Sequence, residues 1–130
     1  MRQLLYTSTA TPDITERDVR LIVGASQYRN AIEEITGILL FDGQRFLQFV
    51  EGAGPAITAL MHRLYGDPRH GDIVVRHDVM VERRTFPIWS MRWVHLADRV
   101  EARRETIGRT IPTTLDSKVQ REVHGFASLG

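Results

Sequence analysis

The chain of 130 residues contains no cysteine. It therefore has no disulfide framework, no thiolate ligand for a metal, and no cysteine nucleophile or thiol adduct. The chemistry of any site must come from other side chains. The lack of cysteine also fits a reducing compartment, and we expect a cytoplasmic protein.

Long apolar runs and an excess of one charge are also lacking. No stretch approaches the ~20 apolar residues of a membrane-spanning helix, and the start Met1-Arg2-Gln3 has no apolar signal segment. Seventeen Lys and Arg residues balance sixteen Asp and Glu residues, which leaves a formal net charge of +1. This balance provides no general attraction to nucleic acid or acidic membranes, so neither is expected as a partner.

Familiar catalytic and metal-binding motifs are missing as well. The chain has no GxGxxG, no phosphate loop, no Gly-x-Ser-x-Gly and no HExxH, and no nucleophile lies beside an obvious base. The five histidines show no metal-ligand spacing; they are His62, His70, His77, His95 and His124. We therefore predict no metal site and no enzyme.

What the chain does contain is a composition typical of one globular domain, with 42% hydrophobic and 25% charged residues. Its first half predicts a strand over Gln3 to Ser8 and then a helix that a Thr15/Asp18 capping box opens. Two apolar runs, Ile35 to Phe41 and Arg45 to Val50, flank Asp42-Gly43-Gln44 and indicate a hairpin.

The second half continues with a helix between Gly52 and Gly66, started by Gly54-Pro55. Alternating apolar residues from Ile73 to Val81 then predict a strand at an edge or with one wet face, and a final strand follows over Trp89 to Val94. The order β-α-β-β-α-β-β predicts an α+β, ferredoxin-like fold: a mixed five-stranded sheet with both helices on one face.

The other face of this sheet also needs cover, because the first and third strands are apolar on both sides. Apolar residues after Asp98 can supply it, in two helices that Gly108 and Pro112 separate. We therefore predict a binding domain over residues 1–96 and C-terminal capping helices over residues 97–130 that do not form an independent domain.

Four polar residues interrupt apolar faces: Tyr6 and Gln48 in strands, and Ser26 and Asn30 on the first helix. Each alone has an ordinary explanation, as a core tyrosine, a sheet-margin amide or a helix-end asparagine. Together their hydroxyl and amide groups converge on the space between the two helices. There they would present several donors and acceptors to a flat heterocycle.

Six segments of the chain follow one further pattern; they are Leu5-Tyr6-Thr7-Ser8, Ser26-Gln27-Tyr28-Arg29-Asn30, Ile35-Thr36-Gly37-Ile38-Leu39, Phe46-Leu47-Gln48-Phe49-Val50-Glu51-Gly52, Asp67-Pro68-Arg69-His70 and Phe86-Pro87-Ile88-Trp89-Ser90-Met91. In these segments the chain resembles the BLUF family of flavin-based blue-light photoreceptors, in its short single-domain form. The resemblance runs from about Leu4 to Val94.

The resemblance implies a non-covalently bound flavin, FAD in the first place, with FMN or riboflavin left open. It makes Tyr6 the photochemical electron donor and Gln48 the amide that switches between this phenol and the flavin. It makes Asn30 a fixed ligand of the same ring edge. Arg63 and Asp67 would hold the pyrimidine edge, although by spacing alone they are a surface i,i+4 pair.

The remaining implied contacts are less central. Met91 would approach Gln48 from the last strand, with Trp89 as the nearby aromatic; plain core packing is the alternative for both. Ser26, Arg29 and His70 complete the predicted cofactor contacts, with Arg29 near the ribityl-phosphate.

The function that follows is a light sensor that signals through its last strand and C-terminal tail to an effector protein, with a homo-oligomer expected. Two alternatives stay open on sequence grounds. A ferredoxin-like sheet also carries acylphosphatase-like hydrolases, and an exposed aromatic sheet face would suit a cofactor-free RNA- or protein-binding module.

Overall fold

The structure is a computed structural model, and it describes residues 1–85, 92–96 and 99–128. Five strands and four helices lie within these ranges. In chain order they are β1 (Arg2–Ala10), α1 (Glu16–Ile32), β2 (Thr36–Phe41), β3 (Arg45–Gly52), α2 (Gly54–Tyr65), β4 (His70–Met80), β5 (Arg92–His95), α3 (Val100–Thr110) and α4 (Ser117–Ser128).

The strands form one sheet in the order β4-β1-β3-β2-β5. The pairs β4–β1, β1–β3 and β3–β2 are antiparallel, whereas β2 and β5 are parallel. The α+β class and the mixed five-stranded, ferredoxin-like sheet are therefore as predicted. Residues 86–91, which include the first part of the predicted last strand, lie outside the described residues.

Local sequence explains the hairpin between β2 and β3. Gly43 has φ 98°, a left-handed conformation that glycine adopts without steric cost. The Asp42 carboxylate accepts from the backbone N–H groups of Gln44 and Arg45 at 2.9 and 2.7 Å, which closes the turn. Gly37 is needed for a different reason, because a Cβ there would lie 2.0 Å from the carbonyl oxygen of Phe49.

The helix starts also follow from sequence. The Thr15 hydroxyl oxygen accepts from the backbone N–H of Asp18, and the Asp18 carboxylate accepts from the backbone N–H of Thr15. The predicted capping box at the start of α1 is therefore present. In contrast, α2 begins at Gly54, its N-cap residue Ala53 makes no side-chain hydrogen bond, and a proline lies in its first turn. Pro112 lies just beyond α3, but the predicted break at Gly108 is wrong because this glycine lies inside α3.

Two apolar cores lie on opposite faces of the sheet, because successive strand residues alternate between the faces. On one face Leu4, Tyr6 and Val50 pack with α1 and α2, and we call this the cleft face. On the other, Leu5 and Phe49 pack with residues of α3 and α4, and we call this the capped face.

Strand β4 lies at the sheet edge, as its alternation indicates, but the alternation is interrupted. Tyr6 lies opposite Val75, whereas its neighbour Leu5 lies opposite His77, so a bulge adds one residue at Arg76. His77 and Val75 therefore face opposite sides of the sheet, although their period-two spacing predicts the same side. The part of the chain that the structure describes contains no helix long and apolar enough to cross a membrane.

Candidate functional site

The centre of the candidate site is a hydrogen bond between Tyr6 and Gln48. The two residues lie opposite each other in the β1–β3 pair, and their side chains are 2% and 3% exposed. The Tyr6 hydroxyl donates to Oε1 of Gln48. The antiparallel register thus places a phenol and an amide side by side on the cleft face, as the sequence predicts.

Helix α1 supplies the facing wall. Val19, Val23 and Asn30 are its buried residues, and the helical repeat brings Asn30 to the same side as the two valines. Asn30 is fully buried, and Ser26, one turn before it, lines the space between the helices. Both polar α1 residues that were predicted to face the site therefore do so.

The space between α1 and α2 is narrow inside and wide at its mouth. The inner part, about 30 Å³, is bounded by Tyr6, Gln48, Phe46 and Leu39. It opens into a cleft of about 440 Å³ that has Asn30 and Arg63 among its lining residues. Ile22, Ser26, Leu64, Asp67 and Arg69 line both parts, so the two are continuous.

Arg63 and Asp67, predicted to act together, are each held by another residue. Arg63 forms a two-pronged contact with the Glu33 carboxylate at 3.2 and 3.1 Å, which ties α2 to the end of α1. The Asp67 carboxylate accepts from Nε and Nη2 of Arg69 at 2.9 and 2.6 Å. This bond holds the pKa of Asp67 below its ordinary value, so an anion borders the cleft at neutral pH.

His70 lies at the inner end of the cleft. Its Nδ1 is 2.7 Å from the Ser8 hydroxyl, its Nε2 is 3.1 Å from the Leu64 carbonyl oxygen, and its ring meets Phe46 edge to face. Burial lowers the pKa of His70, which keeps the ring neutral at pH 7. His70 thus joins β1, α2 and β4 at the base of the site.

The phenol of Tyr6 is also held neutral. Burial raises its pKa well above the ordinary value of 10, and the nearby Asp67 carboxylate raises it further. The Tyr6 hydroxyl therefore remains a hydrogen-bond donor across the whole physiological pH range. A phenol with a fixed acceptor beside it is a group that can lose an electron and a proton together.

Other predicted contacts are more remote or not described. Arg29 is exposed at the rim of the wide cleft, whereas Trp89 and Met91 lie outside the described residues. Arg69 lines both parts of the cleft and pairs with Asp67, but it was not among the site residues predicted from the sequence. The sequence did indicate Arg69, because this arginine lies two residues after Asp67, a predicted cofactor contact, in the segment Asp67-Pro68-Arg69-His70.

Among residues 1–85, 92–96 and 99–128, no three His, Cys, Asp or Glu side chains cluster in a way that could hold a metal ion. The polar groups that line the cleft are amides, hydroxyls, arginine guanidiniums, the His70 imidazole and the Asp67 carboxylate, which is paired with Arg69. Such groups suit hydrogen bonding to an organic ring.

Comparison with curated proteins gives relatives that respond to light. The chain is 35% identical over 89 residues to the photoactivated adenylate cyclase subunit beta of Euglena longa, covering 68% of the chain but 10% of that protein. It is 34% identical over 71 residues to the blue light- and temperature-regulated antirepressor BluF of Escherichia coli, covering 55% and 18%. The chain thus matches a small part of each of these relatives.

Solved structures extend the similarity to nearly the whole chain. The dark-state structure of BlrB, a BLUF protein, has a TM-score of 0.77 at 31% identity and covers 98% of this chain and 95% of its own. Klebsiella pneumoniae BlrP1 with FMN and cyclic diGMP has a TM-score of 0.82 at 30% identity, covering 98% and 34%. The family model "BLUF: Sensors of blue-light using FAD" matches residues 1–92. The chain therefore belongs to the BLUF family of flavin-binding blue-light sensors.

Proposed function

We propose that this chain senses blue light with a flavin bound between α1 and α2, and that the Tyr6–Gln48 pair is its switch. The observation that carries the proposal is the buried hydrogen bond from the Tyr6 hydroxyl to the Gln48 amide oxygen at the inner end of the cleft. A phenol is oxidisable, and an amide has two unlike ends. The pair therefore combines a phenol that can be oxidised with an amide that can retain a changed set of hydrogen bonds.

The residues around the cleft fit a flavin ring in character. Ile22, Leu39 and Leu64 offer apolar contact to the faces of a flat ring system. Tyr6, Gln48 and Asn30 supply polar groups from the base and from the α1 wall. A few directed polar groups in an otherwise apolar cleft are typical of cofactor sites.

The first step concerns Tyr6. An oxidised flavin that has absorbed blue light is a strong oxidant and supplies the driving force. Because the pKa of Tyr6 is raised, the residue that gives up the electron is the neutral phenol and not a phenolate. Its proton then moves along the existing hydrogen bond toward Oε1 of Gln48.

The second step concerns Gln48. An amide accepts at its oxygen and donates at its nitrogen, so rotation or tautomerisation exchanges the group that faces Tyr6. When the electron and the proton both return to Tyr6, the neutral phenol is restored and the new hydrogen bonds of the amide are retained. One mismatched bond costs roughly 1–3 kcal/mol, which makes the lit state metastable and thermally reversible.

The sheet provides a short route from this amide toward the C-terminal part of the chain. Gln48 lies opposite Leu39 in β2, and Leu39 lies opposite Trp93 in β5. We propose that the changed hydrogen bonds alter β5 and the following helices and thereby the contact with a separate effector protein. The division into a sensor over residues 1–96 and capping helices over residues 97–130 is part of this proposal, as is a cytoplasmic location.

FAD is the flavin that we propose, with FMN and riboflavin as the alternatives. The family is described as using FAD, whereas the BlrP1 structure contains FMN. Arg29 at the rim of the cleft suits the phosphate groups that FAD and FMN carry and riboflavin lacks. Extraction of the purified cofactor and its identification by mass spectrometry decide between the three.

The geometry does not favour the two alternative functions. An acylphosphatase-like enzyme needs free backbone N–H groups after β1, but those of Ala10 and Thr11 donate to the carbonyl oxygens of Gln44 and Arg69. A binding platform needs exposed sheet aromatics, but Phe46 is 5% exposed beneath the helices.

The proposed switch is tested by Tyr6→Phe, with Tyr65→Phe at an exposed position as the matched control. Both variants should purify yellow. After blue light, the Tyr65→Phe protein should show the same small reversible red shift of the flavin absorption as the parent chain, and Tyr6→Phe should show none. A normal shift in Tyr6→Phe would remove Tyr6 from the proposed role.

A further inference from the structure

The outer face of α1 carries a stripe of exposed apolar side chains. Leu21, Tyr28 and Ile32 are 61%, 73% and 66% exposed, and Ala25 between them is also exposed. The spacing of four, three and four residues keeps the stripe on one side of the helix, as in a coiled-coil seam. It lies opposite the buried side of α1, so the cleft-face core does not account for these residues.

Gly24 beside this stripe is a second, independent feature. It lies inside a 17-residue helix, where glycine costs up to about 1 kcal/mol relative to alanine. A Cβ at this position would meet no atom within 4 Å, so packing within the chain does not require glycine here. Absence of a side chain does allow the backbone of another helix to come close.

The charges along α1 favour a second copy of the same chain in antiparallel orientation. Placing a two-fold axis near Gly24 and Ala25 brings Leu21 of each copy opposite Tyr28 of the other. Asp18, near the helix start, then lies beside Arg29 of the other copy, near the helix end, and the symmetry makes this pair twice. Arg29 is exposed, and Asp18 is half-buried with one carboxylate oxygen accepting from the Thr15 backbone N–H. Both residues flank the apolar stripe on the same side.

We propose that two copies of this chain associate through an antiparallel α1–α1 contact. We call the surface formed by Leu21, Gly24, Ala25, Tyr28 and Ile32 the α1 seam. Such a contact is isologous, since one surface meets itself and the assembly closes at two chains. Ala25 and Arg29 also line the mouth of the cleft, so the α1 seam borders the proposed cofactor site without including Tyr6 or Gln48.

The size of the α1 seam predicts a weak dimer. A helix of 17 residues is about 25 Å long, which limits the contact to the low end of specific interfaces. We therefore expect a dissociation constant in the micromolar range. The proposal does not depend on the light switch, because the α1 seam includes neither Tyr6 nor Gln48.

Sedimentation equilibrium of the flavin-loaded chain tests the proposal with Gly24→Leu. This change adds a side chain into open space in the single chain, so the melting temperature should not fall, yet it obstructs close approach of the helices. The dissociation constant should rise at least tenfold, and Leu21→Glu should have the same effect. Met80→Glu, which charges an equally exposed apolar residue on β4, should leave association unchanged.

Disulfide crosslinking tests the proposed antiparallel register. Because the chain has no native cysteine, a single introduced cysteine can form a disulfide only with the same residue of another copy. Ala25→Cys lies next to the proposed two-fold axis and should form a disulfide-linked dimer under mild oxidation, whereas Met80→Cys should not. A parent chain that stays monomeric to millimolar concentration would overturn the proposal. So would a dimer that Gly24→Leu and Leu21→Glu leave intact, since that dimer uses another surface.

Discussion

On the capped face of the sheet, residues of α3 and α4 fill the space above Leu5, Leu40 and Phe49, all of which are fully buried. On the cleft face, α1 and α2 stand apart enough to leave an opening that reaches Tyr6 and Gln48. One sheet thus has a packed side and an open side. The alternation of strand residues lets each side be built with little constraint on the other.

Each face also contains a buried glutamine, and the two are held differently. Gln3, on the capped face, donates to the fully buried Glu51 carboxylate at 3.0 Å, and its Oε1 lies 3.3 Å from Nε2 of His77. Its amide is thereby fixed by a charge at one end and a ring at the other. Gln48 accepts from a neutral phenol at the edge of an opening. The Tyr6 phenol is neutral and the opening leaves space beside the Gln48 amide, which suits the proposed role of this amide as a switch.

The largest expected effect compares neighbouring leucines of β2. Leu40→Ala on the capped face should reduce the free energy of unfolding by about 3–4 kcal/mol, because the packed surroundings retain the cavity. Leu39→Ala, which only widens an existing opening, should reduce it by about 2 kcal/mol in the flavin-free protein. Urea unfolding measures both, and equal losses would contradict the difference between the faces.

The next effect concerns Glu51. Its carboxylate accepts from the Thr85 backbone N–H at 2.7 and 2.9 Å as well as from Gln3, so Glu51→Ala leaves the buried Gln3 amide and the partly buried Thr85 N–H without this acceptor. We expect a loss of about 3 kcal/mol in unfolding free energy and a smaller loss for Glu51→Gln, which retains an oxygen. Gln48→Leu should reduce the unfolding free energy by only about 1 kcal/mol. A larger loss of stability for Gln48→Leu than for Glu51→Ala would contradict the expected order of the two variants.

A smaller effect concerns the α1 wall of the cleft. Thr15→Ala removes the side-chain cap of α1 and should reduce the unfolding free energy by about 1 kcal/mol. Thr15→Ser retains the hydroxyl and should recover most of the loss. Thermal unfolding of the two variants is the measurement, and equal destabilisation by both would show that the cap is not the cause.

The smallest effect is a pH dependence that both faces share. Burial lowers the pKa of His70 on the cleft face and of His77 on the capped face below the ordinary 6.5. As the pH falls through 6.5, the unfolded chain binds protons that the folded chain does not, so stability decreases between pH 7.5 and pH 5. His70→Asn and His77→Asn should each flatten this decrease in a series of melting temperatures. An unchanged pH dependence of the melting temperature in one variant would show that the substituted histidine does not cause the decrease.

Much of the fold could be predicted from sequence, because local signals and the global arrangement agree. The Thr15 cap and the Asp42-Gly43 turn each act within a few residues, and the alternation in β1 and β3 fixes which side chains share a face. The bulge in β4 could not be predicted, since it depends on how that strand meets β1. The position of Gly108 inside α3 shows that a single glycine does not end a helix.

The candidate site likewise contains residues whose positions could be predicted from the sequence and residues whose partners could not. Tyr6 and Gln48 could be placed side by side because strand register sets them opposite each other, and Asn30 could be placed on the buried side of α1 because of the helical period. The partners of Arg63 and Asp67 could not be predicted, because long side chains near a helix end reach several groups. Arg63 binds Glu33, 30 residues away in the chain, whereas Asp67 binds Arg69 just two residues on.

The two buried glutamines provide the most direct test of the proposed switch. Light-minus-dark absorption spectra should be recorded for flavin-loaded Gln48→Leu and Gln3→Leu side by side with the parent chain. We predict that Gln3→Leu retains the reversible red shift after blue light despite lower stability, and that Gln48→Leu binds flavin but shows no shift. A normal shift in Gln48→Leu would contradict the assignment of the switch to this amide.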